Sequence, residues 1–116
     1  MEKSRSQMEG QRRRAVEALL ACDSEEELSK LLWEVFCLYE GAQFFTSKGL
    51  PFRYRIRGGE LFCDRKAKSI TQASVTRAYQ KILAGKAAGD PITGPKKLGS
   101  FGAPYIWSIF RTVGLL

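Results

Sequence analysis

Apolar and basic residues alternate through residues 52–57, and a strand with its two-residue side-chain period sorts them onto opposite faces. Phe52, Tyr54 and Ile56 take one face, Arg53, Arg55 and Arg57 the other. Gly58-Gly59 is a two-residue loop suited to a tight hairpin turn, so residues 60–64 are expected to fold back antiparallel. The register that follows sets Arg57 across from Glu60, Ile56 from Leu61, Arg55 from Phe62, Tyr54 from Cys63 and Arg53 from Asp64. One side of the hairpin is then core and the other guanidinium.

Helical spacing marks the rest. After a flexible tail at residues 1–10, a first helix is expected over 11–21, with Val16, Leu19 and Leu20 inward. Asp23 or Ser24 caps a second, with Glu26 or Glu27 in the reciprocal position. Leu28, Leu31, Leu32, Val35, Phe36 and Tyr39 give it the strongest apolar stripe in the chain, ended by Gly41. Ser69 with Gln72 forms a capping-box signal for a third helix starting near Ile70. Its stripe is Val75, Ala78, Tyr79, Ile82 and Leu83, and Gly85 is its expected stop. Glycines and prolines make a linker of 85–102. Pro104 then opens a last helix whose stripe is Ile106, Ile109, Phe110 and Val113. A lone hairpin is marginal in water, and residues 43–46 are the candidate third strand. The fold class implied is α+β: one domain over 11–116, about four helices on a small antiparallel sheet.

At 116 residues the chain suffices for a core without metal or disulfide help, since a domain of this size buries roughly two-thirds of its unfolded surface. No apolar run approaches the ~20 residues of a membrane span. The basic residues ahead of 15–22 imitate a signal peptide, but Glu17 interrupts the short apolar stretch. Cys22, Cys37 and Cys63 are widely spaced and set in apolar surroundings, so they read as buried thiols in a reducing, cytoplasmic setting. There is no histidine and no CxxC, which removes the commonest zinc sites and every His-dependent triad. Glu60 and Asp64 share a strand face but sit about 13 Å apart at strand rise, too far for a coupled pair. Neither an enzyme, a metal nor a cofactor is expected.

Charge changes the picture most. Residues 1–40 hold nine acidic against six basic residues, whereas residues 41–116 hold three acidic against thirteen basic. A basic block of this kind is the footprint of a polyanion partner, nucleic acid first and anionic membrane second, unless it serves solubility alone. DNA and RNA fit it equally. The candidate binding residues are Arg53, Arg55 and Arg57 on the hairpin, then Arg65, Lys66 and Lys68 after it. Thr76, Arg77, Gln80 and Lys81 follow on the third helix, with Thr76 and Gln80 placed to read base edges, and Lys96 and Lys97 in the glycine-rich loop 94–102. Each has a plainer reading. The arginines balance Glu60 and Asp64, Arg55 lies over Phe62, the helix face is solvated and the loop is an ordinary turn. Trp107 and Arg111, off the last helix's stripe, either stack on each other or anchor a protein partner or second copy of the chain.

Overall fold

The computed structural model describes residues 2–65, 68–99 and 101–116, and side chains from Gln7 onward. Along the described chain lie α1 (Glu2–Leu20), α2 (Glu25–Leu38), the short strands β1 (Phe44–Phe45) and β2 (Pro51–Phe52), then β3 (Tyr54–Arg57) and β4 (Glu60–Cys63). After them come β5 (Ile70–Thr71), α3 (Gln72–Ala87), a 3-10 turn (Pro95–Leu98) and α4 (Ala103–Val113). The class is α+β. One antiparallel pair, β1–β2, stands beside a three-stranded antiparallel sheet in the order β3-β4-β5. The hairpin register is the expected one: Tyr54 opposes Cys63, Arg55 Phe62, Ile56 Leu61 and Arg57 Glu60. Arg53 and Asp64 close its open end, the Asp64 N–H donating to the Arg53 carbonyl at 3.0 Å.

The junction of α2 with β3 positions the sheet. Ser24 caps the start of α2 by accepting from the Glu27 N–H, and the acidic first turn suits the positive end of the helix dipole. At the other end, all four of the last carbonyls find donors, as a half-buried helix end requires. The Tyr39 N–H donates to Val35 O and the Glu40 N–H to Cys37 O. The Tyr54 hydroxyl donates to Phe36 O at 2.6 Å and Arg12 Nε to Leu38 O at 2.8 Å. The turn beyond the helix then runs along the free edge of β3: the Gly41 N–H donates to Tyr54 O, and the Ile56 N–H to Glu40 Oε2.

Aromatic rings fill the space beneath. Phe44 stacks on Phe52 and on Tyr54, with centroids 5.7 Å apart in each case, and Phe110 meets Phe36 and Tyr79 edge-on. Such pairs contribute about 0.5–1.5 kcal/mol each beyond the area they bury. Helix α4 is buried almost all round: Ile106, Trp107, Ser108, Ile109, Phe110 and Val113 are all inside. It is the central helix, and Ser108 satisfies its hydroxyl on the carbonyl of Pro104.

Several boundaries differ from the sequence expectation. Residues 2–10, expected as a tail, continue α1; Glu, Lys, Gln, Met and Arg are good helix formers, and one Gly costs only about 1 kcal/mol. The third partner of the hairpin is β5 rather than residues 43–46, because Glu40 and Gly41 already occupy the free edge of β3. Phe44 and Phe45 pair instead with Phe52 and Pro51. Ser69 does not cap α3. Its hydroxyl donates to Glu60, Ile70 is drawn into the sheet opposite Leu61, and Thr71 becomes the cap by accepting from the Ser74 N–H. Helix α3 runs through Gly85 to Ala87, and Gly89 takes the left-handed position instead. Leu83, expected in the stripe, is exposed.

Burial first, then neighbouring Cys37, pushes the Tyr54 phenol well above its ordinary value near 10. The native state therefore favours the neutral phenol, and that stabilisation is complete below pH ~10 and lost as pH rises above it. Tyr54→Phe is expected to lower stability in urea titrations by about 1–3 kcal/mol at pH 7. Its decline above pH ~10 should be shallower than that of the unmodified protein.

Gly102, at φ +76°, packs against buried Ile70, and an added Cβ would sit 2.8 Å from Ile70 Cγ1 and closer still to Cδ1. Gly102→Ala should cost about 2–5 kcal/mol, combining left-handed strain with overpacking. Gly89→Ala, at φ +74° with open space around it, should cost only the strain of about 1–2 kcal/mol.

Candidate nucleic-acid interface

Strand alternation and the buried aromatic face together put Arg53, Arg55 and Arg57 on the outer side of the sheet. Phe52 and Tyr54 are buried and Ile56 half-buried, while all three arginines are exposed. The two carboxylates beside them make hydrogen bonds to groups other than the guanidiniums. Glu60 Oε1 accepts from Ser69, and Asp64 Oδ1 accepts from the Arg53 N–H. Arg53 Nη1 reaches the Gly41 carbonyl at 3.3 Å and Arg65 Nη1 the Pro51 carbonyl at 3.5 Å, long bonds that leave most of each guanidinium to solvent. Among the described residues, the guanidinium groups of Arg55 and Arg57 have no hydrogen bond or ion pair. Arg55 shares the rim of a shallow depression of about 500 Å³ with Arg53, Phe62 and Asp64.

Burial alternates without a break from Pro51 to Arg57, even where the strand is interrupted at Arg53. The outer row therefore extends past the hairpin onto the β1–β2 pair. Phe45 lies across from Pro51 and Phe62 across from Arg55, and both rings are largely exposed, at 52% and 39%. Phe45 is absent from the residues expected on sequence grounds. Its signal is the doublet Phe44-Phe45, in which strand geometry can bury only one ring on a one-sided core.

The basic residues beyond the sheet divide differently from expectation. Lys66 lies outside the described residues. Lys68 is exposed with Nζ 5.0 Å from the Phe101 ring centroid, a cation–π contact within the chain. Thr76 does not face solvent for base reading: its hydroxyl is 3.0 Å from that of Ser29 on α2, and Gln72 Nε2 donates to the same serine. That polar face of α3 is its seam with α2. Gln80 is exposed but stands over the α2–α3 groove beside Glu25 and Leu28. Arg77 is exposed, with Nη2 donating to Ser74 Oγ at 3.4 Å.

Lys81 donates from Nζ to the Leu98 carbonyl at 2.7 Å, closing the 3-10 turn that carries exposed Lys96 and Lys97. These three lysines form a second basic group. Thr71, paired with Glu60, anchors the start of α3 at the sheet, and Lys81 is ten residues, roughly 15 Å of helix, further on. The turn at 94–99 is thus built around buried Leu98, with its lysines standing outward.

Two other expectations change. Trp107 is 7% exposed, inside the core, because α4 is enclosed on more sides than its apolar stripe implied; only Arg111 of that pair remains at the surface. The Cys37 thiol is exposed rather than buried. Partial burial first, then the Glu40 and Glu34 carboxylates, raise its pKa, the opposite of what activates a cysteine nucleophile. No group of acidic and cysteine side chains suited to a metal ion occurs among the described residues, and no described helix is long and apolar enough to cross a membrane.

Because Thr76 ties α3 to α2, Thr76→Ala should lower stability by about 0.5–1.5 kcal/mol in urea titrations. It should leave any oligonucleotide affinity unchanged. In comparisons with known proteins, no family model, curated protein or solved structure matches this chain, and the roles of its residues rest on their chemistry and placement.

Proposed function

We propose that this protein binds nucleic acid, DNA or RNA, through the outer face of its sheet, in an accessory or regulatory role. The observation that carries the reading is the row of Arg53, Arg55 and Arg57, exposed together while the two carboxylates among them are held by Ser69 and by backbone. Arginine suits such a surface because its planar fork pairs with phosphate oxygens in two directions and keeps its charge at any physiological pH. Arg65, bonded to the strand that precedes the row, extends it. The strong excess of base over acid beyond residue 40 supplies the long-range attraction, and the acidic residues of α2 orient the molecule in that field.

The reading is one of binding rather than catalysis: the chain lacks histidine, the commonest general base, and the exposed Cys37 thiol has its pKa raised rather than lowered. Three cysteines, none in a disulfide, suit a reducing cytoplasmic setting.

Fluorescence anisotropy with labelled oligonucleotides over a range of salt concentrations tests the proposal. If four arginines each neutralise about one phosphate, the slope of log K against log salt should be near −3.6 on duplex DNA and near −2.8 on a single strand. Replacing Arg55 and Arg57 with alanine should flatten it by up to about two units. Absence of binding at about 50 mM salt, with the fold verified by circular dichroism, would overturn the proposal.

A further inference from the structure

We infer that the outer sheet face takes the unpaired bases of a single strand, with Phe62 and Phe45 as stacking platforms and the arginines of the row holding the backbone. This rests on the nucleic-acid reading above and narrows it to one class of ligand.

The two rings and the arginines belong to one row. Phe45 opposes Pro51 and Phe62 opposes Arg55, so their partners are offset by four residues, about 13 Å of extended chain, with Arg53 midway between those partners. Single exposed apolar residues are common on any surface and carry no meaning alone. Here, Phe62 lies on the basic side of the three-stranded sheet and Phe45 on the exposed side of the adjoining β1–β2 pair, while Phe44, Phe52 and Tyr54 are buried on the inner side. Aromatic rings interleaved with cations are what a sequence-tolerant single-strand site requires, because every base has a π-face and every linkage a charge.

Phenylalanine has no hydrogen-bonding group with which to read the edge of a base. In a duplex the base faces are hidden in the stack and only edges are offered in the grooves, so neither ring could stack on a base face unless a base step were wedged open. A helix able to enter a groove is not offered by the polar face of α3, which Ser29 ties to α2 through Thr76 and Gln72. What remains available is a face. The depression of about 500 Å³ beside Phe62, rimmed by Arg53 and Arg55, falls in the roughly 300–1,000 Å³ range of small-molecule clefts and so has room for a splayed base. The charge of the row argues for this occupant over an apolar protein surface, which would have to bury unpaired guanidinium groups.

The test compares four labelled ligands of equal length by anisotropy at fixed low salt: single-stranded DNA, single-stranded RNA, the matching DNA duplex, and an abasic single strand carrying the same phosphates. The base-bearing single strands should bind more tightly than the duplex and than the abasic strand, and the DNA and RNA arms identify the natural sugar. Phe62→Leu and Phe45→Leu should each weaken single-strand binding by about five- to a hundred-fold, while leaving the salt slope and the affinity for the abasic strand unchanged. Phe62→Tyr should keep the binding, since it restores a ring at an exposed site without altering the fold. Equal affinity for base-bearing and abasic strands, or an unaffected Phe62→Leu variant, would overturn stacking and leave a simple polyanion surface. Failure of all four ligands to bind would remove the nucleic-acid reading itself.

Discussion

The hydrogen bond from the Tyr54 hydroxyl to the Phe36 carbonyl is where the local rules of helix and sheet meet. The last turn of a helix must find donors for its carbonyls, and a tyrosine buried in a sheet must find an acceptor for its hydroxyl. In this fold each is the other's solution. With Arg12 serving Leu38, the same helix end also fastens α1, so three elements distant in sequence converge on one turn of backbone. Arg12 adds to this by lying over the Tyr39 ring, its guanidinium carbon 4.6 Å from the centroid. The geometry of the outer sheet face is inherited from that joint: once Tyr54 is committed inward, strand alternation leaves Arg53 and Arg55 no direction except outward.

The core built on this joint is aromatic, which suits a small chain. Large planar side chains bury much area for few rotatable bonds, so few residues are needed to fill the space between α4, α3 and the sheet. Helix α4 reaches the centre because it carries small or self-satisfying residues where it passes other elements closely. Ala103 packs at its first turn and Ser108 returns its hydroxyl to its own backbone. Gly102, just before it, lets the chain pass against Ile70 at the start of the sheet-to-helix connection.

Much of this was legible in the sequence, and what was not has identifiable causes. The hairpin register follows from a two-residue turn and strict alternation, both local, and the stripe of α2 is a local periodicity of the same kind. The failures involve partners far along the chain. Thr76 looks solvent-facing on its own helix, and nothing nearby signals that Ser29, forty-seven residues earlier, will meet its hydroxyl. Ser69 carries a good capping signal, yet Glu60 across the sheet takes its hydroxyl and Leu61 draws Ile70 into a strand, so tertiary pairing outcompeted a local cap. Trp107 sits off the stripe of α4 and is buried nonetheless, because a helix enclosed on several sides has no polar face to display. Of the candidate site, the arginines were legible from alternation alone. The extension of their row to Phe45 was not, since it depends on which strand residues 44–45 choose.

The turn at Glu40 and Gly41 has a further effect through the bonds it makes. By supplying Glu40 Oε2 to the Ile56 N–H and the Gly41 N–H to Tyr54 O, it occupies backbone groups that β3 would otherwise present along its open edge. The opposite edge of the three-stranded sheet is β5, two residues long and running straight into a helix. With one edge occupied and the other only two residues long, the sheet offers little backbone ladder for an incoming strand to extend, which guards against the edge-to-edge growth that leads to aggregation. It also dictates a style of recognition. Any partner of this sheet would have to meet it broadside, through side chains that can be changed one residue at a time without disturbing the hydrogen bonds that hold the strands together.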